Sequence, residues 1–106
     1  MDWIILVIAG LFETAWALCL KASEGLTRPA WTIAFLITLA ISMFLLAQAL
    51  RTLPVGTAYA VWTGIGAAGA AIVGMLWLGE SRSLLKIISL VLLIGGIMGL
   101  RFTGGE

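Results

Sequence analysis

WIILVIAGLFETAWALCL, residues 3–20, is an apolar run broken by one carboxylate, Glu13. Roughly 20 apolar residues cross the hydrocarbon core of a bilayer, and about 17–25 is the working range. Read as a helix rising about 1.5 Å per residue, the run carries Glu13 about 15 Å from Trp3, close to the middle of the hydrocarbon. Nothing before Lys21 balances its charge.

Outward from this run the pattern repeats. The chain is expected to be a single all-α membrane domain over residues 1–106, with four transmembrane helices at about 3–20, 30–50, 55–78 and 84–100. Composition agrees: 62% of the residues are hydrophobic and 10% charged, and the mean hydropathy of +1.18 lies far above that of a water-soluble domain. Lys86 stands near the start of the fourth span, where a lysine can snorkel its ammonium to the headgroups. The connections, Lys21–Pro29, Arg51–Pro54 and Gly79–Ser83, are short. Function is therefore expected inside the bilayer. The Met1-Asp2 opening lacks the basic leader of a secretory signal, so the first span is expected to be retained.

Several classes of function find no residues. Cys19 is the single cysteine and there is no histidine, so an internal disulfide is excluded and a zinc or haem site has almost no ligands. Cys19 reads as a small apolar packing residue. A phosphate-binding glycine loop, paired carboxylates within one chain and a basic patch for nucleic acid are all missing from the sequence. Neither an enzyme nor a cofactor-bearing or nucleic-acid-binding protein is expected. Glu80 and Arg82, in GESR, read as a solvated loop pair.

The charges bear on orientation. Lys21, Arg28, Arg82 and Lys86 fall on one side of the membrane, and Arg51, Arg101 and the amino terminus on the other. Lysines and arginines in short loops set orientation, and a count this even permits insertion both ways. Two inverted copies could then form an antiparallel homodimer. Many transporters obtain such symmetry from an internal repeat with a site at the midplane; this chain has no convincing repeat, and four helices are few to enclose an aqueous path. The alternative is that so few charges carry no orientation signal.

An acid in a spanning segment costs roughly 2.5–3.5 kcal/mol on insertion scales, and such residues face a bundle interior or a wet cavity. A proton or cation site is the default reading of Glu13; a protonated glutamic acid bonding helices together is the other. Gly10, Glu13 and Trp16 or Ala17 share one helical face. Glycine admits a close neighbour, and Trp16 sets an aromatic face beside the carboxylate, a combination suited to a cation. In GTAYAVWTGIGAAGAAIVG, residues 56–74, Tyr59, Trp62 or Thr63, and Gly66 follow one face in the same way, the aromatics reading either as site walls or as packing and interface belt. Gly64-Ile65-Gly66 weakens the third helix, and Gly66, Ala70 and Gly74 form a small-residue face, so this segment reads as a hinge, a packing ridge, or both. Gly95 and Gly99 form GxxxG in the fourth span and are read as a dimer contact. Ser42, midway in the second span, is either a supporting donor to the site or a hydroxyl bonded to its own helix.

WIILVIAGLFETAWALCLK, LPVGTAYAVWTGIGAAGAA and LGES together resemble the small multidrug resistance transporters, and within them the guanidinium exporter subtype. The resemblance covers nearly the whole chain. It implies an antiparallel homodimer of four-helix subunits in the bacterial inner membrane, exchanging a cytoplasmic guanidinium-type cation for external protons. It also implies a substrate- and proton-binding set of Glu13, Trp16, Ser42, Tyr59 and Trp62, with Gly10 a turn before the acid and a helix kink at Gly64–Gly66. Two positions depart from the family pattern: Thr14 replaces an aliphatic residue and would alter hydration of the carboxylate, and Leu26 replaces an aromatic in the first loop. A broad exporter of quaternary ammonium or aromatic cations shares these features. A non-transporting membrane interaction protein, with Glu13 as interhelical glue, is the more distant alternative.

Overall fold

The computed structural model describes residues 2–102. The chain positions Met1 and 103–106, which carry the amino-terminal charge and the end of the expected domain, lie outside the described residues. Four helices follow one another: α1 (Asp2–Ala22), α2 (Pro29–Ala49), α3 (Val55–Trp77) and α4 (Leu84–Phe102). Each is long and apolar enough to cross a membrane.

Local chemistry sets the helix ends. Pro29 opens α2, where its missing N–H has no intrahelical partner to lose. The turn before it holds Glu24, Gly25 and Leu26 in succession at positive φ (49°, 75° and 69°). Fully buried Ser23 stabilises this turn: its Oγ donates to the Leu20 carbonyl at 2.6 Å and accepts from the Leu26 N–H at 3.1 Å. Leu26, where an aromatic was expected, thus stands in the left-handed region with its side chain half exposed.

At the other turn on this side, the structure corrects the expected Glu80–Arg82 pair. The Glu80 carboxylate lies against Gly74, its N–H donates to the Gly74 carbonyl at 3.0 Å, and its ion-pair partner is Lys86 at 3.3 Å. Arg82 instead donates from Nε to the Met75 carbonyl at 2.9 Å, among the free carbonyls that end α3. Lys86 is therefore held by a loop carboxylate.

The helices form a slab, 41 × 35 × 17 Å. α1 lies between α2 and α3 and packs on both, α2 and α3 touch briefly, and the backbone of α4 approaches α3 alone. The buried core is small: Leu6 and Ala9 of α1, Leu46 and Ala49 of α2, and Ala58, Val61 and Trp62 of α3. No residue of α4 is buried. Leu93, Ile97 and Leu100 turn toward the rest of the chain, and a Cβ at Gly64 would lie 2.8 Å from Ile97 Cδ1. Gly95 and Gly99 stand on the other side of α4 with nothing within 4 Å of an added Cβ.

At one end of the slab, Arg101 lies over the Trp3 ring at 5.0 Å, and Arg51 and Asp2 line one recess, so both basic residues stand beside the start of α1.

Candidate functional site

Glu13 sits midway along α1, over α3. A Cβ added at Gly66 would fall inside the Glu13 side chain, 2.6 Å from its Cγ and closer still to its carboxyl group. Gly66 is therefore the floor on which the carboxylate rests. The close approach of α1 and α3 is prepared one turn earlier, where a Cβ at Gly10 would lie 2.7 Å from Ile65 Cβ. It continues one turn later, where Gly69 makes room for Thr14. These pairings run in the same order on both helices, so α1 and α3 are parallel neighbours.

Two polar atoms here are buried and have no hydrogen-bond partner among the described residues: Glu13 Oε2 and Trp16 Nε1. They come from residues three apart, on one face of α1. An unpaired buried polar group costs about 1–3 kcal/mol, and more if charged. Trp16 packs edge-on to Phe35 of α2, with ring centroids 5.9 Å apart.

A second arrangement lies toward the start of α1. Trp62 Nε1 donates to Ser42 Oγ at 2.9 Å, and Ser42 Oγ donates to the Ala9 carbonyl at 2.8 Å. All three residues are buried. Ser42 is thus not bonded back to its own helix; it links α3 to α1 through α2. The chain ends at Ala9, one turn before Glu13, so the wall of the site is fixed by a fully satisfied relay.

Tyr59 packs against Trp62 with ring centroids 5.7 Å apart and ring planes tilted by 45°, and is 57% exposed. Within one chain it makes no hydrogen bond with Glu13 among the described residues, because seven positions along α3 separate it from Gly66, about 10 Å of helix rise. The structure therefore brings together Gly10, Glu13, Gly66 and Trp16 on one side and Ser42, Trp62 and Tyr59 on the other, and leaves Tyr59 facing outward.

Gly64 and Gly66 divide their work. Gly64 faces Ile97 of α4 and Gly66 faces Glu13 of α1, while α3 itself runs unbroken from Val55 to Trp77. Sequence reasoning missed Phe35, Gly69 and the Ala9 carbonyl. Only Gly69 left a signal, three residues beyond Gly66 on the face that meets α1.

Comparison with known proteins adds the lineage. Residues 1–93 match the Small Multidrug Resistance protein family. A protein of Yersinia pseudotuberculosis serotype I (strain IP32953) named Guanidinium exporter is 58% identical over 101 residues, spanning 95% of this chain and 97% of the relative. Proteins of the same name from Salmonella typhimurium (strain LT2) and Citrobacter freundii are 54% and 53% identical over 103 residues, spanning 97% of this chain and 98% of each relative.

Proposed function

This chain belongs to the small multidrug resistance family, and we propose that it exports guanidinium and small substituted guanidinium cations in exchange for protons. It works as an antiparallel, dual-topology homodimer in the bacterial inner membrane, each subunit one four-helix domain. The observation that carries this reading is the Glu13 carboxyl oxygen, buried at mid-helix without a hydrogen-bond partner among the described residues. A charge-assisted hydrogen bond from a planar cation satisfies such an oxygen, and guanidinium carries N–H donors around its whole edge.

The dimer supplies what the single chain lacks. A slab 17 Å thick is too thin to enclose a pathway, no residue of α4 is fully buried, and Tyr59 is largely exposed. Close packing of Gly95 and Gly99 against a second copy covers the open face of α4. Inversion of the second copy sets its Glu13 across a shared cavity, where Trp16 and Trp62 wall the cation and Tyr59 and Ser42 hold the carboxylates. The two carboxyl groups titrate as a coupled pair. Protons and guanidinium compete for them, so proton entry discharges the cation on one side and deprotonation readies the site on the other. Exchange of conformation between the subunits, by bending at Gly64–Gly66, turns the cavity from one side of the membrane to the other.

The test is equilibrium binding. Purified protein titrated with guanidinium should show saturable quenching of tryptophan fluorescence, and Glu13→Gln should abolish it. Saturable binding that survives in Glu13→Gln contradicts the assignment of the site. Binding of a quaternary ammonium ion with no response to guanidinium points to the broad multidrug exporter instead.

A further inference from the structure

Thr14 follows the carboxylate and is half-buried between α1 and α3. Its Oγ1 has three carbonyls in reach: Gly66 at 3.2 Å, Gly10 at 3.4 Å and Ile65 at 3.5 Å. A hydroxyl has one proton to donate, and the shortest of these contacts crosses to α3. The crossing is built for it: a Cβ at Gly69 would fall on Thr14 Oγ1, so this side chain fits only because Gly69 has none. Gly66 therefore carries two loads from consecutive residues. Its Cα supports the Glu13 carboxyl group, and its carbonyl accepts from Thr14.

A second interhelical tie brackets the same segment. Trp62, through Ser42, is bonded to the Ala9 carbonyl. Between the two ties stand Thr63, Gly64 and Ile65. Whatever bends α3 at its glycines must move the Gly66 carbonyl relative to α1, and the Thr14 bond opposes that movement.

We infer that Thr14 is a positioning residue of the transport cycle: its hydroxyl latches the hinge of α3 to α1 beside the carboxylate, and release of that latch is part of the barrier to alternating access. This rests on the antiport reading and on bending at Gly64–Gly66. Thr14 does not set affinity for the cation, because its proton is directed to a backbone carbonyl and not toward Glu13. It sets the rate.

The experiment compares wild type with Thr14→Val, Thr14→Ser and Thr14→Ala in liposomes. The turnover of guanidinium-driven proton flux at saturating guanidinium is read together with the equilibrium Kd in detergent. Thr14→Val keeps the volume above Gly69 and loses the donor. It should raise turnover about threefold, equivalent to the ~0.6 kcal/mol average of interhelical hydrogen bonds in a membrane protein, with Kd unchanged. Thr14→Ser should restore the wild-type rate. Thr14→Ala, which leaves space where valine fills it, should also be fast, so the effect follows the hydroxyl and not the volume. Unchanged or slower turnover in both Thr14→Val and Thr14→Ala overturns the inference while leaving the antiport reading intact. So does a shifted Kd without a change in rate. A wild-type protein that moves no protons in response to guanidinium removes the antiport reading, and the role of Thr14 with it.

Discussion

Replacing Gly66 by alanine tests whether the floor beneath Glu13 matters. The added Cβ would lie 2.6 Å from Glu13 Cγ and inside its carboxyl group, whereas carbon atoms in ordinary contact stand about 3.5–4.0 Å apart. Glu13 or the whole of α3 must therefore give by about 1 Å. Two energies oppose each other in the fold. Alanine is about 0.8–1.0 kcal/mol better than glycine inside a helix, and overpacking costs about 1–3 kcal/mol. The subunit should stay helical, with a net change in stability below about 2 kcal/mol.

Binding has no such compensation, because the carboxylate leaves the position from which it is proposed to meet the cation. Loss of one charge-assisted hydrogen bond, worth about 1.5–3 kcal/mol, should weaken guanidinium binding by about 10- to 150-fold. Gly56→Ala is the control: nothing lies within 4 Å of its added Cβ. Guanidinium titration of both variants, with circular dichroism to follow helix content, reads the difference. A folded Gly66→Ala protein with wild-type affinity refutes the reasoning, as does an equal loss in Gly56→Ala.

Ser42→Ala leaves the buried indole N–H of Trp62 without its acceptor and should cost about 1–3 kcal/mol of stability. The double variant with Trp62→Phe removes donor and acceptor together and should lose less than the two single changes summed, as judged by denaturant unfolding in detergent. Under the proposed competition of guanidinium and protons for Glu13, in which the cation takes the deprotonated form, apparent Kd should rise as pH falls, by at most about tenfold per pH unit for each proton displaced. A pH-independent Kd in calorimetry contradicts the competition. A Cβ at Gly95 or Gly99 has nothing within 4 Å inside the subunit, and isoleucine at both positions should weaken the proposed dimer by about 1–3 kcal/mol through overpacking. Cross-linking in liposomes checks this; undiminished dimer moves the contact elsewhere.

The four helices were legible because membrane insertion leaves a long, composition-level signal, and each α-helix overlies an apolar run. Glu13 was legible for the same reason, as a charge where the bilayer tolerates few. Spacing along one helix also placed Gly10 and Trp16 beside it. What crosses between helices was not legible. The Trp62–Ser42–Ala9 relay joins positions 20 and 33 apart in sequence, and no local pattern marks which carbonyl a serine will find. Glycines at 64 and 66 read as one weak point in a helix, but their Cα atoms face different neighbours, Ile97 and Glu13. Thr14 stood out as a departure and was read through its distance to the carboxylate in sequence; its partner is a carbonyl 52 residues away. The Glu80–Arg82 pair failed because helix α3 ends with carbonyls that attract Arg82 and Gly74 leaves room for Glu80 to turn toward Lys86.

Proton movement driven by guanidinium in liposomes tests the central claim most directly. With purified protein reconstituted and a pH-sensitive dye inside, an inward guanidinium gradient should drive protons outward, and Glu13→Gln liposomes should stay silent. Equal proton flux in wild type and Glu13→Gln, or none in wild-type protein shown to be folded and dimeric, contradicts proton-coupled exchange at this carboxylate.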